Sequence, residues 1–179
     1  MSAEANHDAG SQINCVLNKL KILIVEDSES MRGLLTALLR TMGVHQIFCA
    51  EDGDAGLKLF IEHQPDLVIT DGAMKPTSGY AMTSAIRALR TCDGSPAREA
   101  DVPVLMLSGH DEPQKIEQAR DNGVSDYIVK PVTAELLYER VIAAVSNSIH
   151  LIETPTYRGL SPRRRLVVHD AFGDTRNKI

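Results

Sequence analysis

Leu67-Val68-Ile69-Thr70-Asp71 is a run of four strand-forming residues closed by a carboxylate, and three other runs repeat the plan. Glu26-Asp27 follow Ile22-Leu23-Ile24-Val25, Ser108 follows Val104-Leu105-Met106-Leu107, and Lys130 follows Tyr127-Ile128-Val129. Short, almost wholly apolar runs are what strands of a parallel sheet covered on both faces require. If the runs lie parallel in one sheet, their C-terminal ends share an edge. Three carboxylates, one hydroxyl and one ammonium then converge on a small pocket.

The segments between the runs alternate with them as helices. Ser28 is placed to cap a helix carrying Met31, Leu34, Leu35, Leu38 and Leu39 and ending near Gly43. A strand at 45–49 follows, then a helix from about Gly53 to His63, closed by Gln64-Pro65. The strand 66–70 leads to a loop through Pro76 and a helix over about 80–89. Residues 91–102, with Gly94, Ser95 and Pro96, read as a long loop. Strands at 103–107 and 125–129 flank a helix near 112–121, and a last helix at about 132–148 carries Leu136, Leu137, Val141, Ile142 and Val145. Five βα units with short connections predict a doubly wound α/β sheet with helices on both faces. Ligands of such sheets bind outside the carboxyl ends of the strands, where the acidic and hydroxyl residues fall. The expected organisation is a disordered arm over 1–19, a domain over 20–150 and a tail over 151–179.

Composition narrows the setting. A chain of 179 residues with 43% hydrophobic content can bury a sizeable core, built from aliphatic residues because aromatics make up only 4%. The three cysteines, Cys15, Cys49 and Cys92, are widely spaced and form no CxxC, so neither a disulfide framework nor a zinc site is signalled. No apolar stretch of membrane-spanning length is present, and Met1 to Gly10 lacks the pattern of a secretory signal. A soluble, cytoplasmic protein is expected. Its charge of −5 is uneven: from Glu153 onward six basic residues face three acidic ones, so the tail is +3 and the preceding residues −8.

The pocket has a definite chemistry. Two like charges about 4 Å apart cost on the order of 4 kcal/mol at an effective dielectric of 20. A divalent cation relieves that repulsion, and hard oxygen ligands suit Mg²⁺, so Glu26, Asp27 and Asp71 are the candidate metal ligands. Asp71 can act as a nucleophile towards a phosphoryl donor, forming an aspartyl phosphate. Lys130 offers a point charge to a phosphoryl oxygen, and Ser108 can hydrogen-bond another. One acidic residue at a strand end is ordinarily a cap or turn residue. Such residues on four of five strand ends are not explained that way.

The segments Ile22 to Ser28, Ala50-Glu51-Asp52-Gly53, Val68 to Asp71 with Met74 and Gly79, Leu107-Ser108, and Tyr127 to Pro131 together resemble CheY-like receiver domains of two-component response regulators, over roughly 20–148. The resemblance implies a flavodoxin-like five-stranded sheet of strand order 2-1-3-4-5. It makes Asp71 the phospho-acceptor, Glu26 and Asp27 metal ligands with Ala73 lending a carbonyl, and Ser108, Lys130 and Tyr127 the phosphate switch. A histidine kinase becomes the expected phosphodonor, and any self-phosphorylation or dephosphorylation at the aspartate would be regulatory rather than enzymatic. One departure stands out. The family usually has Met-Pro three and four residues after the acceptor, whereas Met74 here is followed by Lys75 and only then Pro76.

Past Ser148 the chain has little room for a DNA-binding output domain. Arginine outnumbers lysine five to one in the tail, interleaved with Tyr157, Phe172, Gly159, Gly173, Asp170 and Asp174. Arginine forks read guanine edges and stack on bases, and an aspartate accepts from guanine. The tail resembles the arginine-rich extension of the Cle class of CheY-like proteins, which bind cyclic di-GMP and act on the flagellar motor. That resemblance makes Tyr157, Arg158, Arg163, Arg164, Arg165, Asp170, Asp174 and Arg176 candidate nucleotide contacts and a flagellar switch protein the candidate partner, in a chemotaxis setting. The alternatives are a phosphorelay receiver whose tail merely solubilises, or a tail that binds nucleic acid, against which the modest +3 and the aspartates argue. A further alternative has the apolar trio Leu166, Val167 and Val168 docking as an added strand on the sheet edge.

Overall fold

A computed structural model describes residues 16–90, 92–109, 113–150 and 168–169. Its strands are β1 (Lys21–Val25), β2 (Gln46–Ala50), β3 (Leu67–Asp71), β4 (Val104–Ser108), β5 (Asp126–Val129) and β6 (Val168–His169). The helices are α1 (Glu29–Thr41), α2 (Gly53–His63), α3 (Gly79–Arg87), α4 (Pro113–Asp121) and α5 (Ala134–His150). All strand pairs are parallel, and the first five take the order 2-1-3-4-5 expected from the family resemblance. The two residues of β6 extend the sheet beside β5, Val168 opposite Tyr127 and His169 opposite Ile128. Val168 therefore lies in an added edge strand, while Leu166 and Val167 lie outside the described residues.

The sheet separates two cores. On one face Leu35 and Leu39 of α1 and Leu137 and Val141 of α5 pack on Ile22, Ile24, Leu67, Ile69, Leu105 and Leu107. On the other, α2 and α3 bring Phe60, Met82 and Ile86 against Leu23, Val25 and Val68, and α4 brings Ile116 and Ala119 against Met106 and Tyr127. Alternate residues of a strand point to opposite faces, so burial on both explains why β1, β3 and β4 read as unbroken apolar runs. At about 25 cal/mol per Å² of apolar surface removed from water, such a core dominates the stability.

Helix starts follow from local chemistry. Ser28, Asp52 and Ser78 each accept a backbone N–H from the first turn of α1, α2 and α3. Two expectations need correction. Residues 16–19 do not belong to an arm: Val16 and Leu17 are helical and Leu17 is 1% exposed, inserted into the α1–α5 core. The stretch 91–102 is not all loop, since Arg98–Asp101 forms a 3-10 helix. Arg87 fixes it by donating to the Ala100 carbonyl at 2.7 Å and to the Gly123 carbonyl at 2.9 Å. Other boundaries shift by one to three residues; β3 runs one residue further than expected and includes Asp71 itself.

Candidate functional site

In-register pairing builds the site. Val25 lies opposite Thr70, Asp71 opposite Leu107, and Ser108 opposite Val129, so the residues that end β1, β3, β4 and β5 sit side by side. The sheet order reverses between β1 and β3, the position where doubly wound folds open a crevice. Gly79 is required here by close approach. A Cβ on it would overlap the Asp71 carbonyl oxygen and meet the Thr70 hydroxyl, so only glycine lets α3 begin against the end of β3.

Glu26 and Asp71 are buried, whereas Asp27 is exposed. One carboxylate oxygen from each of the three lies within 4.8 Å of the others. The Lys130 ammonium donates to Asp71 Oδ1 at 2.7 Å and to Glu26 Oε2 at 2.9 Å. Asp71 Oδ2 accepts the Ala73 N–H at 2.9 Å, which holds the carboxylate plane. Burial pushes the Glu26 carboxyl above its usual range despite the opposing Lys130 bond and charge. For Lys130 burial pulls down, but bonds and charges from Asp71 and Glu26 outweigh it and raise the ammonium. The donor set fits a hard divalent cation: all ligands are carboxylate oxygens, and exposed Asp27 leaves room for water ligands.

The sequence pattern puts Glu26, Asp27, Asp71, Ser108 and Lys130 at one end of the sheet, and the structure brings all five to that end. Ser108 is 3% exposed. Tyr127 stands two residues before the end of β5, opposite Met106, and is fully buried in the core beneath α4. Lys75 is exposed, and the ion pairs found at the carboxylates are made by Lys130. The tail residues Tyr157, Arg158, Arg163, Arg164, Arg165, Asp170, Asp174 and Arg176 lie outside the described residues.

Two residues escape sequence reasoning. Arg32 in α1 donates to the Glu26 and Asp27 carbonyls at 2.6 and 3.1 Å, clamping the β1–α1 turn that presents the acids. Its position four residues after the cap Ser28 is the available signal. Tyr80, second residue of α3, lies over Gly72 and packs with Tyr127 and Met106 in the core beneath α4. Burial first, then Tyr127 and the Asp71 charge, raise this phenol above its usual range, with Ser108 opposing.

Comparison with known proteins agrees with this geometry. Residues 22–142 match the response regulator receiver domain family. The chain is 34% identical over 122 residues to the chemotaxis protein CheY of Pseudomonas aeruginosa, covering 68% of this chain and 93% of that one. It is 35% identical over 130 residues to the chemotaxis protein CheY-3 of Vibrio cholerae, covering 72% and 95%. Among solved structures, a response regulator receiver domain protein from Clostridium thermocellum aligns with a TM-score of 0.64 at 27% identity, over 74% of this chain and 98% of the other. Vibrio cholerae CheY4 aligns with a TM-score of 0.62 at 25% identity, over 70% and 98%. The family match spans the five strands that carry the acidic pocket, and the chain belongs to the response regulator receiver domain family.

Proposed function

We propose that this protein is a single-domain response regulator that accepts a phosphoryl group on Asp71 with Mg²⁺ held by Glu26, Asp27 and Asp71. The observation that carries the reading is the cluster of three carboxylates within 4.8 Å, with the Lys130 ammonium in contact with two of them. Bound Mg²⁺ would supply charge neutralisation at the transferring phosphoryl group. The Asp71 carboxylate is oriented by the Ala73 N–H and attacks the phosphorus of the donor, whose leaving group departs with the bonding pair. Lys130 stays beside the resulting phosphoryl oxygens, and the Ser108 hydroxyl turns to hydrogen-bond one of them. Tyr127 then responds from below, which alters the face formed by α4 and β5. A histidine kinase would be the donor. Replacing Asp71 by Asn should abolish phosphoryl capture from a small-molecule donor.

In the fuller reading the tail adds a second input. Tyr157, Arg158, Arg163, Arg164, Arg165, Asp170, Asp174 and Arg176 would grip cyclic di-GMP through arginine forks on guanine and phosphate and a stacked tyrosine. The β6 residues beside Tyr127 favour communication between tail and switch, since both share the β5 edge. The output would be protein binding at a flagellar switch, in keeping with the chemotaxis relatives. Calorimetry with cyclic di-GMP on the full chain tests the tail. Alanine at Arg163, Arg164 and Arg165 together should weaken binding at least about 100-fold, since charge-assisted contacts contribute about 1.5–3 kcal/mol each. Unchanged affinity would remove the tail from the account.

A further inference from the structure

Arg32 lies one turn into α1, and its side chain runs back towards the start of the helix, as long helical side chains do. Its Nη1 donates to the Glu26 carbonyl at 2.6 Å and to the Asp27 carbonyl at 3.1 Å. These carbonyls belong to the two residues whose carboxylates join Asp71 within 4.8 Å. The Arg32 N–H donates to the Ser28 carbonyl at 2.9 Å, so the clamp is anchored in the first turn of α1. Among the described residues no ion pair joins Arg32 to either acid: the guanidinium holds backbone and occupies no carboxylate. The other two acids are held directly. Glu26 accepts from Lys130, and Asp71 accepts from Lys130 and Ala73. The Asp27 carboxylate is exposed and has no such partner among the described residues. Its aim depends on the backbone that carries it.

We propose that Arg32 is a positioning residue for the divalent cation, fixing the Glu26-Asp27 turn so that Asp27 is aimed before the metal arrives. The inference rests on the Mg²⁺ reading of the acidic cluster. Two effects of Arg32 oppose each other. A cation beside an anionic pocket weakens the binding of a second cation, so its charge alone lowers the affinity. Fixing the turn raises it, because an exposed carboxylate on a loose turn loses conformational freedom when it takes a metal. Arg32 is half-buried beside an exposed turn, where solvent and salt screen its charge. Groups that orient metal ligands from behind ordinarily set affinity by about 10–100-fold, so the positioning effect wins.

Calorimetric titration of Mg²⁺ into the full-length wild type and Arg32→Met, with thermal unfolding of both in a chelator, tests this role. Methionine removes the donor and the charge but keeps an unbranched stem. Loss of the charge alone would tighten Mg²⁺ binding, whereas loss of the clamp should weaken it at least about tenfold. Unchanged or tighter binding by the variant would overturn the positioning role and leave the metal reading intact. A lower unfolding temperature in chelator with wild-type Mg²⁺ affinity would also overturn it, leaving Arg32 a purely structural part. Absence of Mg²⁺ binding by the wild type would overturn the metal reading and the positioning role with it. If Arg32→Met does not fold, Arg32→Lys decides. It keeps the charge, but its ammonium stands one atom short of Nη1, so Mg²⁺ binding should again weaken, and wild-type affinity would count against the clamp.

Discussion

Two half-buried groups of opposite charge sit at opposite ends of the sheet, and they behave differently. At the C-terminal end, Lys130 reaches Asp71 and Glu26 at 2.7 and 2.9 Å, in hydrogen-bond contact with both. At the N-terminal end of β5, Arg140 of α5 stands 4.0 Å from Asp126. Burial raises a carboxyl at each end, Glu26 at one and Asp126 at the other, but only at the C-terminal end do contacting acids hold a cation in place. The ammonium of Lys130 is raised by its two acids, whereas at Asp126 burial outweighs Arg140 and pushes the carboxyl up to about 6. The lesson is one of numbers and distance. Three acids and one lysine leave an excess of negative charge that welcomes a divalent cation, while one acid at the edge of reach of one arginine leaves a proton-binding site.

The largest expected effect lies at Asp126. Its folded value of about 6 exceeds its ordinary 3.8, so the folded state holds this proton more firmly than the unfolded chain. Its contribution to stability is therefore complete below about pH 4 and drains away as pH rises through 6. Asp126→Asn has no proton to lose. Urea unfolding at pH 4 and pH 7 should show wild-type stability falling relative to the variant by at most about 3 kcal/mol. A difference that is flat across that window would make the two ends of the sheet alike.

A smaller effect is expected from removing Lys130. Lys130→Met leaves Glu26 and Asp71 without a counter-charge, and the loss should be about 2 kcal/mol in a chelator. Glu26 can soften it by taking a proton, and Lys130 is 22% exposed, which together place the value below the range for fully buried pairs. Mg²⁺ should return part of that stability by binding the folded state, which thermal unfolding with and without the metal will read. If Mg²⁺ has no effect on the variant or the wild type, the acidic cluster is not a metal site.

Much of the fold and of the pocket is legible in the amino-acid order. The carboxylates stand out because β1 and β3, buried on both faces, contrast sharply with the polar residues that end them. Ser108 and Lys130 follow from the same contrast on β4 and β5. The tyrosine over Gly72 is not visible that way, because its meaning lies in a through-space contact rather than in a period or a cap. Val16 and Leu17 read as part of a polar arm because one helical turn is too short to show a period. The 3-10 helix at Arg98–Asp101 escapes for another reason: it is held by Arg87 from α3, a tertiary bond that local propensity does not contain. Strand registers, by contrast, need no such contact, since slipping by one residue would turn each apolar run to the wrong neighbours.

Every role proposed for the pocket depends on Asp71 as the phospho-acceptor. Intact-mass measurement after incubation with Mg²⁺ and acetyl phosphate tests it most directly. The wild type should gain one phosphoryl group, Asp71→Asn none, and the wild type none when Mg²⁺ is chelated. A wild type that gains no phosphoryl group, or an Asp71→Asn variant that still gains one, would contradict it.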